Sequence, residues 1–229
     1  MAKNPSRPKL ENLYLNMNKI TENKLIRILI SHALFNFGRI LYSIFLTIFI
    51  WDKTKDLRAI SLFYIVFIIT HGISFTLNAM VVKKGWLNLP RIFSMLGSVV
   101  VYLLLFIFSD HIIDYLTLIA IANGIFSGMY WVALHTLRFN LTSRNNRGNF
   151  MGTNQAITIA SRLLAPIIGG ALIYYNFLGL GYGNIFLLSA ISYFLSILVG
   201  YIRLPKIEMH PFHLKKTIKQ IWATPDIIK

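Results

Sequence analysis

The chain has 229 residues, 55% of them hydrophobic and only 14% charged, and its mean hydropathy is +0.59; this excludes an ordinary soluble domain and points to a polytopic membrane protein. The net charge of +15 reads as a sidedness signal once the basic residues are sorted by loop, and no nucleic-acid partner is expected. Cysteine is absent, which removes disulfide frameworks and thiolate metal sites.

Residues 1–25 form a polar, basic lead containing Pro5 and Pro8, expected as a cytoplasmic tail with a short surface helix over about 9–24. No small-residue cleavage site follows the first apolar run, so that run is expected to stay as an anchor. Six apolar runs follow, at 26–50, 59–82, 90–108, 112–135, 152–175 and 184–203. Each approaches the roughly 20 residues needed to cross a hydrocarbon core of about 30 Å. Lipid tolerates no open sheet edge and the alternating pattern of a barrel is absent, so all six are read as helices. The expected fold is an all-α integral membrane protein, a six-transmembrane-helix bundle.

The first run carries a polar face. His32, Asn36, Arg39, Ser43 and Thr47 recur at steps of three and four, on one side of a helix otherwise rich in Leu, Ile and Phe. An arginine at the centre of a membrane helix costs roughly 2.5–3.5 kcal/mol on insertion scales, so Arg39 is expected to face a cavity. The second run presents His71, Ser74 and Asn78. The fourth presents Asn123, Ser127 and Tyr130 beside Trp131, and the fifth Gln155, Thr158 and Arg162. The sixth offers only Ser189, Ser192 and Ser196. Helices 1, 2, 4 and 5 are therefore expected to wall a substrate cavity, and helices 3 and 6 to support it from the lipid side.

Small residues mark close packing: Ser161, Ala165 and Gly169 along helix 5, and Gly124 and Gly128 along helix 4. Pro166 removes one helical hydrogen bond and favours a bend. Arg162 lies nearer its helix end and is able to snorkel. His32 and His71 read either as neutral rings bonded between helices or as proton-coupling groups. Arg39 also carries two readings: its planar fork suits a substrate carboxylate or phosphate, or an ion pair with an acid outside these helices. Apart from Asp114 at the edge of the fourth, the six runs contain no Asp or Glu.

Most of the 23 basic residues fall on one side. They lie before the first run, in the second-to-third loop (Lys83, Lys84, Arg91), in the fourth-to-fifth (Arg138, Arg144, Arg147) and after Arg203. The opposite loops hold Lys53, Lys55 and Arg58 against Asp52 and Asp56, then Asp110 and Asp114. The positive-inside rule places both termini in the cytoplasm and the chain in the cell membrane.

These features resemble the N-terminal six-helix half of a major facilitator superfamily transporter. Residues 144–152, from Arg144 through Arg147 to Gly152, resemble the basic turn entering that family's helix 5. Residues 161–170 resemble its motif Gly-x-x-x-Gly-Pro-x-x-Gly-Gly, with Ser161 and Ala165 for the first two glycines and Pro166, Gly169 and Gly170 retained. The signature loop after helix 2 is partly kept as Lys83, Lys84 and Gly85, but its acidic position is Val82, so its charge latch does not carry over. The resemblance implies alternating access of a small solute at the interface of two halves, here with an anionic or drug-like organic compound in view. It makes Lys83, Gly85, Arg144 and Arg147 a cytoplasmic gate, or alternatively headgroup anchors, and helix 5 a hinge. Residues 204–229 resemble the family's central cytoplasmic linker. The second half is then expected from a missing segment, a separate chain or a second copy, with the lipid bilayer as the other partner. No cofactor or metal is called for, and no enzyme is expected. Neither Asp110, His111 and Asp114 nor His210 with His213 has ligand or catalytic spacing. A non-transporting scaffold or receptor-like protein is the alternative.

Overall fold

A computed structural model describes residues 7–83, 87–144, 146–176 and 179–201. The expected linker at 204–229, together with Lys84 and Gly85, lies outside these residues, and the side chain of Lys83 is likewise not described. Six helices follow in order: α1 Arg7–Thr54, α2 Leu57–Lys83, α3 Asn88–Ile107, α4 Leu116–Leu141, α5 Arg147–Tyr174 and α6 Gly183–Gly200, with a short 3-10 turn at Ser109–His111 before α4. All six are long and apolar enough to span a membrane, and no strand occurs among the described residues. The helix that begins at Arg7 runs without a break into the first span, so the lead and the span form one rod.

The helix ends explain themselves locally. Lys55 takes a left-handed conformation at φ 50°, and Asp56 Oδ1 accepts the backbone N–H of Arg58 at 2.8 Å, which caps α2. At the far end of α5, Asn176 is left-handed at φ 45° and its Oδ1 accepts the Gly181 N–H at 3.1 Å. Arg147 closes the turn between α4 and α5: its guanidinium donates to the Thr142 carbonyl at 3.1 Å and the Phe139 carbonyl at 3.3 Å, and it lies 4.4 Å over the Phe139 ring. A cation on the last carbonyls of a helix satisfies acceptors that the helix leaves open.

The packing has an internal order. α1 rests on α5 and α6, α4 rests on α2 and α3, and α3 meets α6. Exchanging α1 with α4, α2 with α5 and α3 with α6 maps the first four contacts onto one another and the α3–α6 contact onto itself. Helices three apart run in opposite directions, so the bundle reads as two inverted three-helix units. Small residues set the closest approaches. A Cβ on Gly128 would sit 2.6 Å from the His71 carbonyl and 2.7 Å from the Phe75 nitrogen, so α4 and α2 touch backbone to backbone there. The stripe Ser161, Ala165 and Gly169 is buried, and a side chain at Gly169 would strike Phe45 and Leu41 of α1. Pro166 sits within an unbroken α5.

α3 and α6 differ from their expected peripheral role. Ser94, Ser98 and Tyr102 of α3 and Ser189, Ser192, Tyr193 and Ser196 of α6 are buried, whereas α2 is the most exposed of the six spans. Ser196 of α6 turns inward onto α1, where its Oγ donates to the Ser31 carbonyl at 2.6 Å. The small serine side chains let two backbones approach, which places these helices at the centre.

Candidate functional site

Arg39 falls at the middle of the first span, Asn23–Thr54. It opens into a cavity of about 180 Å³ lined by Phe35, Arg39, Tyr42 and Ser43 of α1, Phe63, Tyr64 and Phe67 of α2, Ser98 and Tyr102 of α3, Asn123 and Ser127 of α4, and Tyr193 of α6. The cavity therefore draws on five of the six helices. Among the described residues Arg39 is its only charged lining group, and the guanidinium makes no hydrogen bond or ion pair; its Nε is buried without a partner. What it meets is the face of Trp131, 5.9 Å from the ring centroid, a cation-π contact worth about 0.5–2 kcal/mol according to desolvation.

Beside the cavity lies a buried network on α1, α4 and α5. Asn36 Nδ2 donates both to Thr158 Oγ1 at 2.9 Å and to His32 Nε2 at 2.8 Å. The Thr158 proton is already committed to the Asn154 carbonyl, so the Asn36 atom facing that hydroxyl must be the amide nitrogen. His32 Nε2 is then an acceptor, its proton sits on Nδ1, and that N–H donates to Tyr130 Oη at 2.8 Å. The ring is held neutral in a single tautomer. Tyr130 is 1% exposed and stacks on Phe35 at a centroid distance of 3.4 Å. Asn36 Oδ1 has no donor, which is costly in a fully buried amide.

The expected site residues divide accordingly. Arg39, Ser43 and Asn123 line the cavity, Trp131 covers the Arg39 guanidinium, and His32, Asn36 and Tyr130 form the adjoining network. His71 sits against Phe67 and Phe75 and does not line the cavity. Arg162 is exposed on α5 and stays apart from it. Arg144 is exposed in the α4–α5 turn, and Arg147 serves the α4 terminus as described. Two basic residues assigned to loops are interior: Arg138 donates to Asn154 Oδ1 at 2.7 Å and Arg91 to the Gly200 carbonyl, and both are buried.

Sequence reading found Tyr130 but missed Tyr42, Tyr64, Tyr102 and Tyr193. Tyr42 Oη accepts from Asn123 Nδ2 at 2.8 Å, Tyr102 donates to Tyr193 at 3.3 Å, and Tyr64 reaches Thr47 at 2.6 Å. Their signal was position: membrane tyrosines usually gather at the interfaces, and these fall well inside apolar runs. On the side opposite the basic loops, Tyr182 donates to Asp52 Oδ2 at 2.7 Å, tying the α5–α6 connection to the end of α1. Burial first, and then this bond to the carboxylate, push the Tyr182 phenol up to about 12.

Among the described residues no group of three or more His, Cys, Asp or Glu side chains is placed to hold a metal. The fold and site together define a multi-pass membrane protein whose spans enclose a polar, singly cationic cavity at mid-depth. The chain belongs to the Major Facilitator Superfamily, whose family model matches residues 28–227. It is similar to the uncharacterized protein YqgE of Bacillus subtilis (strain 168), with 23% identity over 173 residues, 74% of this chain and 39% of that protein. It is also similar to an uncharacterized protein in the sodM 3′ region of Geobacillus stearothermophilus, with 24% identity over 150 residues, 66% of this chain and 70% of that one. This chain thus spans 39% of the length of YqgE. No solved structure matches it.

Proposed function

We propose that the chain supplies one six-helix half of an alternating-access transporter for a small solute, with both termini on the cytoplasmic face of the cell membrane. The cavity around Arg39 forms this half's share of the substrate site. The observation that carries the reading is the free guanidinium at the middle of the first span. A charge at that depth is costly, and a fold that keeps one without a partner keeps it for something that enters. Membership in a transporter superfamily supports the same reading, as does the pair of inverted three-helix units. A second six-helix half completes the cavity, and the basic loop residues set the orientation.

Arg162 and His71 stand outside the cavity of this half. Arg162, exposed on α5, is available to the second half. His32 acts structurally, because both ring nitrogens are committed to helix-to-helix bonds. The small-residue stripe on α5 lets that helix slide on α1, and Pro166 gives it a weak point, so α5 is the element best suited to move. The test is Arg39→Ala in the complete transporter. Solute movement into membrane vesicles is lost while insertion and expression are unchanged; wild-type movement by this variant removes Arg39 from the mechanism.

A further inference from the structure

We infer that the cavity binds the carboxylate of a flat organic monoanion, with Arg39 forking the carboxylate and the aromatic walls receiving the body. This rests on the cavity being the substrate site. Charge sets the sign: Arg39 is the only charged lining side chain among the described residues, and it has no counter-ion there. Arg91 and Arg138, nearer the basic end, do not line the cavity and turn their guanidinium N–H groups to the Gly200 carbonyl and the Asn154 amide oxygen, so one guanidinium is within contact reach of a ligand there. A monoanion balances it, whereas a dianion would carry an unpaired charge into a low-dielectric interior.

The unspent protons agree. The Tyr42 oxygen accepts from Asn123 and the Tyr193 oxygen accepts from Tyr102, which leaves each phenol O–H free to donate. By contrast the Ser43 and Ser98 protons go to backbone carbonyls of their own helices. The cavity therefore presents a guanidinium fork and two phenol donors, a set that suits an acceptor-only group. The walls set the shape. Tyr42 and Tyr102 stack at 4.4 Å, Tyr102 meets Tyr193 edge-on at 5.0 Å, and Tyr193 lies 4.7 Å from Phe35. Such a continuous run of ring faces favours a planar apolar body over a sugar or a short hydrophilic acid.

Benzoate is the probe, with benzamide, benzylamine and inorganic phosphate as its neutral, cationic and mineral counterparts. Binding to the purified full chain is followed by calorimetry and by Trp131 emission, with Trp131→Phe used to assign the optical signal. Benzoate is expected to bind saturably, and benzamide about tenfold more weakly or less, because a charge-assisted bond is lost. Arg39→Gln is expected to abolish the preference for acid over amide, and Arg39→Lys to keep charge selectivity at reduced affinity because the fork is gone. Unchanged helicity and melting of both variants show that they remain folded. Equal binding of benzoate and benzamide, preference for phosphate, retention of acid selectivity by folded Arg39→Gln, or no binding of benzoate overturns the assignment. Benzoate binding by the chain without any solute movement by the complete transporter would instead sink the transport reading and leave the anion site standing.

Discussion

Replacing Tyr130 by Phe deletes one buried oxygen and leaves the Phe35 stack in place. The lost group is the acceptor of the His32 Nδ1–H bond at 2.8 Å. Side-chain hydrogen bonds between membrane helices average about 0.6 kcal/mol, with a maximum of about 1.7. Here the imidazole N–H is also left stranded, and a buried unsatisfied donor costs about 1–3 kcal/mol. Escape by tautomer exchange is limited: moving the proton to Nε2 would require Asn36 to turn its oxygen toward the ring and give up its bond to Thr158. The expected loss is therefore about 1–2 kcal/mol. In a His32→Leu background no donor remains to be stranded, and Tyr130→Phe should then be nearly neutral. The assay is reversible unfolding of the purified protein in mixed micelles, followed by helicity, on all four members of the cycle. A coupling of about 1 kcal/mol supports the bond as the tie between α1 and α4. An equal cost of Tyr130→Phe in both backgrounds would refute the tautomer argument and the network built on it.

Gly128→Ala places a methyl 2.6 Å from the His71 carbonyl, so α2 and α4 must part, at about 1–3 kcal/mol; Gly152→Ala, with nothing within 4 Å, should melt like the parent. Arg147→Gln removes the cap on the last carbonyls of α4 and should lower stability by about 0.5–1 kcal/mol without altering the solute turnover of folded protein. A change in turnover alone would support the gate role that the family resemblance implies for Arg147. For Tyr182 the folded protein holds the phenol proton more tightly than the unfolded chain does. Its contribution is then intact below the ordinary value of 10.0 and is lost as pH climbs through about 12. An ultraviolet difference titration of Tyr182→Phe against parent should miss one tyrosine near the top of that range; a missing group near 10 would mean that neither the burial of this phenol nor its bond to Asp52 holds.

What sequence reveals here follows helical periodicity, and what it hides is which helix a face meets. The His32, Asn36 and Arg39 stripe was legible because three- and four-residue steps place polar atoms on one side of an apolar run. That Asn36 would clamp His32 against Thr158 depends on the approach of α5, which no local pattern encodes. Arg138 and Arg91 look like loop charges because they lie at the edges of apolar runs, yet their long side chains fold inward to Asn154 and Gly200. His71 shares a helical face with Ser74 but is rotated toward Phe67 and Phe75, since Gly128 brings α4 against its backbone. Tyr42, Tyr102 and Tyr193 look like ordinary aromatic bulk in a sequence, and only their cross-helix hydroxyl bonds reveal a polar cavity. Ser189, Ser192 and Ser196 share one face of α6 by their spacing, but only the approach of α1 and α3 shows that this face lies at the centre of the bundle.

These 229 residues contain no cysteine, so a single reporter placed among them is unique in this half. Ser43 and Ser127 line the cavity, whereas Asn36 is 0% exposed and serves as a buried control. The most direct test of alternating access is modification of Ser43→Cys and Ser127→Cys in the complete protein by a membrane-impermeant maleimide, applied to one face of sealed vesicles and then to the other. Both cavity positions should react from either face while the vesicles stay tight to protons, and Asn36→Cys should react from neither. Reaction from one face only, or a proton leak accompanying reaction from both, would contradict a cavity that opens to each side in turn.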